Sequence, residues 1–436
     1  LIGILRNLIC FCPLFLKNNK YYNVKHTKNI FLISSLILTI LHAHVGSPSP
    51  IKVFQPNGNE LNIYIKGDHL HNWHDYNGWT VVKDNDWWVY ALGNNGKELI
   101  PSNIKVDYTD NPNEINPNIA RGIKPDPYQL LDNSPAPNLQ LTRSDTFRVP
   151  LILVEFPDAG ALYESSQLDS MMNQQGYSHL NYDNTGSFRD FYQEISYGQF
   201  LPVADISRWF TASNNHDYYG YNNGYQRVRQ LVRDMVDSLE ASGFNWSIYD
   251  NDGDGYVDAL TLIHQGPGAE EGDQTNIWSH KWNLGNLAVS YDGVIIDSYN
   301  MNPEIQNGNI VAIGVLAHEF GHSLGLPDLY DTDYSSTGAG KLSLMASGSW
   351  GTSGNTPWYP SSMVGWIKNE LGWVDIVEIN EDQTNVTVEQ SYSSNIIYKV
   401  NHSQVEEEYW LIENRQKIGS DTLITTPGLT IWHINE

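Results

Sequence analysis

The sequence predicts an α+β fold built around a fully buried central helix, and three observations carry that expectation. Between Val311 and Leu324, apolar residues recur at helical spacing on two opposite faces: Ile313, Ala317, Phe320 and Leu324 on one, Val311 and Val315 on the other. Such a helix must be covered on both sides. The runs Val149 to Phe156 and Ala259 to Ile263 are almost continuously apolar, as strands sandwiched between layers are. Short alternating runs between Asn-Gly and Lys-Gly-Asp turns fill residues 51–104 and return beyond Trp373, marking β-rich material at both ends.

In chain order, residues 1–46 read as a leader. Lys25 and Lys28 precede the apolar run Ile30 to Leu41, followed by Ala43 and the Gly46-Ser47-Pro48 break, the layout of a signal peptide. A bilayer span needs about 20 apolar residues, so export without a membrane anchor is expected. The chain starts at Leu1 and its first methionine is Met171, which suggests translated upstream sequence or a fragment. Both cysteines, Cys10 and Cys12, fall in this leader, so the remainder is expected to fold without disulfides.

Residues 47–121 form the first β-rich module, with Leu61 to Ile65 and Trp87 to Ala91 as its clearest strands. Residues 122–146 carry Pro125, Pro127, Pro135 and Pro137 without periodicity and read as a linker. Arg143 or Arg148 could mark a processing cut, although a solvated arginine is the plainer expectation for either. The main domain, 147–375, opens with the Val149 strand and continues with helical periodicity over Phe188 to Tyr197 and Gln226 to Ala241. In the second of these Val228, Leu231, Val232, Met235 and Leu239 share one stripe. Residues 376–436 are β-rich, with strands expected at Asn385 to Val388, Ile396 to Val400 and Leu429 to Ile434. The abrupt end at Glu436 suggests that a C-terminal region is missing.

Charge narrows the function. Residues 1–46 hold five basic groups and no acidic ones, which leaves a net charge of −30 on the rest. So acidic a surface repels nucleic acid and suits cation binding.

The buried helix carries the chemistry. His318 and His322 stand four residues apart, so both imidazoles leave one face and can grip one zinc ion. Glu319 follows the first histidine and is placed to act as general base toward water. Gly314 and Gly321 line a flank where another segment could approach closely, and Gly325 can take the left-handed conformation that ends a helix. Catalytic zinc usually takes three protein ligands. Asp328, six residues after His322, has the spacing of the metzincin third ligand, with aspartate in place of the commoner histidine. A glutamate from a separate helix would have to come from as far away as Glu370. Met345, in Leu344-Met345-Ala346-Ser347-Gly348, is suited to the methionine turn that floors such a site without coordinating. Ser347 stands where some metzincins place a tyrosine, which leaves Tyr359 as an unsupported candidate for oxyanion stabilisation. The competing reading is a buried helix whose histidines only satisfy hydrogen bonds.

A second metal signal lies upstream. Asp250, Asp252, Asp254 and Asp258 alternate around Gly253 and Gly255, as in a calcium loop, with Tyr256 offering its carbonyl. The twelfth position is Thr261 where a calcium sensor has glutamate, so the loop reads as structural. A solvated acidic turn is the alternative. Glu270, Glu271 and His280 could add ligands or substrate contacts, with plain surface exposure the simpler expectation. The same holds for Asp68, His69, His71, His74 and Asp75, which could cap the zinc before activation.

Several segments resemble the secreted immune inhibitor A metallopeptidases: Ala317 to Asp331 (AHEFGHSLGLPDLYD), Leu344 to Trp350 (LMASGSW), Tyr249 to Asp258 (YDNDGDGYVD), Ile277 to Trp282 (IWSHKW), Ser187 to Phe200 (SFRDFYQEISYGQF) and Gly428 to Asn435 (GLTIWHIN). The resemblance runs from about residue 148 to the end. It implies a zinc endopeptidase of metzincin type acting on proteins or peptides, made with a propeptide, stabilised by calcium and exported by a bacterium. It places His318, His322 and Asp328 as ligands and Glu319 as base. A serine hydrolase would want a Gly-x-Ser-x-Gly elbow between a strand and the start of a helix, whereas the one match, Gly321 to Gly325, lies at the end of the expected helix and includes His322. A catalytically inactive calcium-dependent adhesion protein would have no use for Glu319 between two histidines. Cleavage preference and oligomeric state are not legible in these patterns.

Overall fold

The computed structural model describes residues 45–96, 98–126, 135–138, 146–179, 184–331, 335–402, 405 and 408–435. Residues 1–44 of the leader, with Cys10 and Cys12, and Arg143 lie outside the described residues. Among the described residues no helix is long and apolar enough to cross a membrane. The described residues form a mixed α and β architecture with three principal sheets.

The first sheet is an antiparallel meander of β1 (Ile51–Phe54), β2 (Glu60–Gly67), β3 (Asn72–Tyr76), β4 (Trp79–Asp84), β5 (Trp87–Asn94) and β6 (Leu99–Lys105), each beside the next. Alternation sets its faces: in β2, Leu61, Ile63 and Ile65 are buried while Glu60, Asn62 and Lys66 face water. The β3–β4 hairpin turns on Asn77 and Gly78, both at positive φ (51° and 82°), the pairing that matches strand twist. Trp79, Val81, Trp88 and Tyr90 fill the core of this sheet.

The second sheet has the order β10-β13-β9-β7-β8. Its strands β7 (Thr146–Glu155), β8 (Leu201–Thr211), β9 (Leu260–Pro267) and β13 (Ser298–Gln306) are parallel, β10 (His280–Asn283) runs antiparallel along the β13 edge, β14 (Asn309–Ile310) pairs with the end of β13, and β11 (Val289–Tyr291) and β12 (Val294–Ile296) form a separate hairpin. Side chains of β7 go alternately to two cores. Val149, Leu151 and Leu153 pack with α1 (Ser165–Asn173), α2 (Phe188–Ile195) and α4 (Ile313–Ser323), and Ile152 and Val154 pack with α3 (Tyr225–Glu240). Helices on both faces explain why β7 is apolar throughout. Helix α2 starts at Ser187, whose side chain accepts from the Asp190 amide while Asp190 reaches back to the Ser187 amide. The stripe expected on α3 is buried.

The third sheet runs β15 (Asp375–Glu378), β16 (Ile396–Asn401), β17 (Glu408–Arg415), β18 (Gly428–Asn435) in spatial order. Helix α5 (Gly365–Glu370) leads into it. Residues 385–388 are not a strand, contrary to expectation. Asn385 sits at φ 61°, and side chains take the loop's carbonyls instead of a ladder: Tyr398 Oη donates to Thr387 O and Asn414 Nδ2 to Val388 O.

Candidate metal centre

Helix α4 lies in the interior, with every residue from Ile313 to Ser323 buried. Its glycines are contact points. A Cβ on Gly314 would lie 2.0 Å from Ser349 O and 2.6 Å from Pro357 O, and one on Gly321 would lie 2.5 Å from Met345 Sδ. The first glycine therefore admits backbone and the second admits the methionine sulfur. Gly325, at φ 87°, ends the helix, and the amide of Leu326 returns to Gly321 O at 3.1 Å. That reversal carries the chain back to Asp328.

The three expected ligands meet. His318 Nε2 and His322 Nε2 are 3.0 Å apart, and Asp328 Oδ1 lies 3.2 Å from the first and 3.3 Å from the second. Their orientation is fixed from behind. His318 Nδ1 donates to Leu344 O and His322 Nδ1 to Leu326 O, both at 2.8 Å. Carbonyls only accept, so each Nδ1 carries the proton and each Nε2 presents a lone pair. Tetrahedral zinc at about 2.0–2.1 Å from its ligands sets them roughly 3.3–3.4 Å apart, so the donor set fits that ion. Burial alone would raise the Asp328 pKa, but the two imidazoles outweigh it and hold the carboxyl well below the usual range. For His322, burial outweighs the attraction of Asp328 and lowers the pKa.

Glu319 is completely buried, and neither carboxylate oxygen has a hydrogen-bond partner among the described residues. Burial, and then the charges of Asp328 and Glu270, push its pKa well above the ordinary value. A carboxylate in this state takes up a proton readily, as a general base must. Met345 is wholly buried beneath α4, and its carbonyl accepts from the Leu329 amide at 2.6 Å, which ties the turn to the residue after Asp328.

Sequence reasoning missed several neighbours. The Tyr330 hydroxyl lies between Asp328 Oδ2 (3.0 Å) and Asp68 Oδ2 (3.2 Å), whereas Tyr359 lines a separate cavity with Asp190 and Glu194. Asp68, His69 and His71 are buried, not exposed; His74 and Asp75 are partly buried. Glu270 and His280 are buried too: Glu270 accepts from Ser279 N and Oγ, and His280 packs against Tyr225 and His69. Residues 45–69, spanning the end of the expected leader and the start of the first module, supply these contacts. Val45 O accepts from Trp350 Nε1, the Ser47 amide donates to Glu270 O, and Tyr225 Oη donates to His69 O.

In the upstream loop, Asp250, Asp252 and Asp254 bring one carboxylate oxygen each within 4.8 Å of one another. Asp258 stands apart from that trio, its Oδ2 accepting from Asn251 N (2.7 Å) and Nδ2 (3.2 Å). The Tyr256 amide donates to Asp254 Oδ1.

A buried helix bearing two imidazoles, a carboxylate beyond a glycine turn and a methionine below them defines a metallopeptidase type of centre. Residues 143–374, more than half of the chain, match the immune inhibitor A peptidase M6 catalytic domain, and the chain belongs to that family. It is similar to the pre-pro-metalloprotease PrtV of Vibrio cholerae serotype O1, 31% identical over 304 residues that cover 56% of this chain and 32% of that protein. Immune inhibitor A of Bacillus thuringiensis subsp. alesti is 32% identical over 241 residues, covering 46% of this chain and 34% of the relative. The chain thus spans about a third of the length of these curated relatives.

Proposed function

We propose that the chain is a secreted zinc endopeptidase, made as a zymogen and stabilised by calcium, with residues 47–121 as its inhibitory segment. The observation that carries the peptidase reading is the convergence of His318, His322 and Asp328 beside a buried Glu319 whose carboxylate has no hydrogen-bond partner among the described residues. Bound there, zinc would lower the pKa of its water to about 7 and polarise a scissile carbonyl. Glu319 would take the proton from the attacking water and hand it to the leaving amine. Leu344 O and Leu326 O keep the imidazoles in the ligating tautomer throughout.

Latency is supported by coverage. His318 and Glu319 have no exposed surface, and the Asp68 carboxylate of the first module accepts from the Tyr330 hydroxyl, which also contacts Asp328. The name of the Vibrio relative, a pre-pro-metalloprotease, fits a precursor. Export rests on the layout of residues 25–48, and calcium on the aspartate trio. An adhesion protein would leave the arrangement around Glu319 without a purpose.

The deciding experiment compares wild type with Glu319→Gln on a denatured protein substrate, before and after removal of the first module. Wild type should cut only after removal, and the variant should bind zinc but cut at least about 100-fold more slowly. Equal rates from zinc-loaded variant and wild type would refute the mechanism, and full activity before removal would refute latency.

A further inference from the structure

The C-terminal sheet holds a buried group of charges that the proposed chemistry does not use: Glu413 and Arg415 on β17, Asp421 beyond it, and Lys368 on α5. We infer that Arg415 and Asp421, both beyond the matched catalytic-domain residues 143–374, are positioning residues for the metal centre, acting through the Leu342–Leu344 segment on His318. This inference rests on the metal reading given above.

The connection is continuous. Arg415 grips Asp421 with two nitrogens, Nε on Oδ2 and Nη2 on Oδ1. Its remaining nitrogen, Nη1, donates to Leu342 O at 3.1 Å and faces Glu413 Oε1 at 3.5 Å. Asp421 Oδ1 also accepts from the Ser362 amide at 3.3 Å, and Ser362 O accepts from the Leu344 amide at 3.3 Å. Leu344 O is the acceptor that fixes His318 Nδ1. One guanidinium–carboxylate pair therefore restrains the loop before the methionine turn at two places, Leu342 O directly and Leu344 N through Ser362.

A forked guanidinium suits this task because its planar donors fix direction as well as distance. Buried ion pairs contribute little net stability, since desolvation consumes most of the attraction. Direction is what this pair supplies. Glu413, which faces Nη1, is itself held by Trp432, whose Nε1 donates to Oε1 at 2.6 Å. Groups behind a metal-bound histidine tune affinity by about 10–100-fold. A strut acting one residue further back should lie at the lower end of that range.

The test uses the full chain loaded with zinc. Zinc affinity is measured by competition with a chromophoric chelator, and ligand geometry by the visible absorption of the cobalt-substituted protein. Two variants probe the strut: Asp421→Asn, which keeps shape but loses charge, and Arg415→Lys, which keeps charge but loses the fork. Ile412→Ala is the control, because Ile412 packs with Ile379 and Val400 in a separate cluster of the same sheet. All are compared well below their melting transitions. The strut variants should bind zinc about tenfold more weakly and shift the cobalt bands, with the control unchanged in both. Unchanged affinity in both strut variants, or an equal loss in the control, would overturn the inference. Wild type that takes up no zinc is a different result, sinking the metal reading itself.

Discussion

Replacing Gly314 by alanine tests the seat of the ligand helix. The new Cβ would stand 2.0 Å from Ser349 O and 2.6 Å from Pro357 O, where ordinary contacts begin at 3.4 Å. Both obstacles are backbone, so the helix or the loop must move by about 1 Å. That movement also strains the bond from the Gly314 amide to Pro357 O, 3.0 Å long. Alanine gains about 1 kcal/mol in helix propensity. Overpacking costs about 1–3 kcal/mol, and the weakened hydrogen bond about 1 kcal/mol. The net is a loss of about 1–3 kcal/mol. Gly321→Ala provides the contrast, since its Cβ meets a methionine sulfur that can rotate away. It should stay within about 1 kcal/mol of wild type while binding zinc more weakly, as Met345 shifts below the imidazoles. Urea unfolding followed by tryptophan fluorescence measures both stabilities. If Gly314→Ala matches wild type, or if Gly321→Ala is the more damaging of the two, the close-approach argument is wrong.

Removing calcium while zinc is kept saturating should lower the melting temperature, because Asp250 and Asp252 crowd Asp254 and, after burial, help to raise its pKa. A protein saturated at 100 times its dissociation constant would lose about 2.7 kcal/mol, and an unchanged melting temperature would argue against the site. Asp258 gives a pH signature in calcium-free buffer: burial raises its carboxyl to about 7, against about 3.9 in an unfolded chain. Between these values the folded state binds the extra proton, so this group's contribution to stability falls as pH rises through the window. Asp258→Asn should therefore be more stable than wild type at pH 8, by up to about 4 kcal/mol, and nearly equal to it at pH 3.5. A difference independent of pH would contradict this.

The convergence of the three candidate ligands was legible because its determinants are local. His318, Glu319 and His322 share one helix, and Asp328 follows after a glycine whose backbone role can be read from its identity. The α3 stripe and the strands of the meander were legible for the same reason, since period alone sets which side is buried. What failed depends on partners distant in the chain. Glu270 and His280 look like surface groups until residues 45–69 cover them, and Tyr330 gains its meaning only from Asp68, 262 positions earlier. The alternation in residues 385–388 imitates a strand, but side chains of β16 and β17 claim its carbonyls. Arg415 gave no signal, because an isolated arginine in a β-rich stretch does not announce burial.

In the proposed zymogen, the first module would stay on the catalytic part as a cover through contacts such as Asp68 on Tyr330 and His69 on His280. Tethering gives such a cover an effective concentration in the millimolar range for a short linker. Cutting the tether abolishes that advantage and leaves every contact intact. The severed piece would then compete with incoming peptides as a diffusible ligand, and turnover would begin after a lag that lengthens with protein concentration and vanishes on dilution.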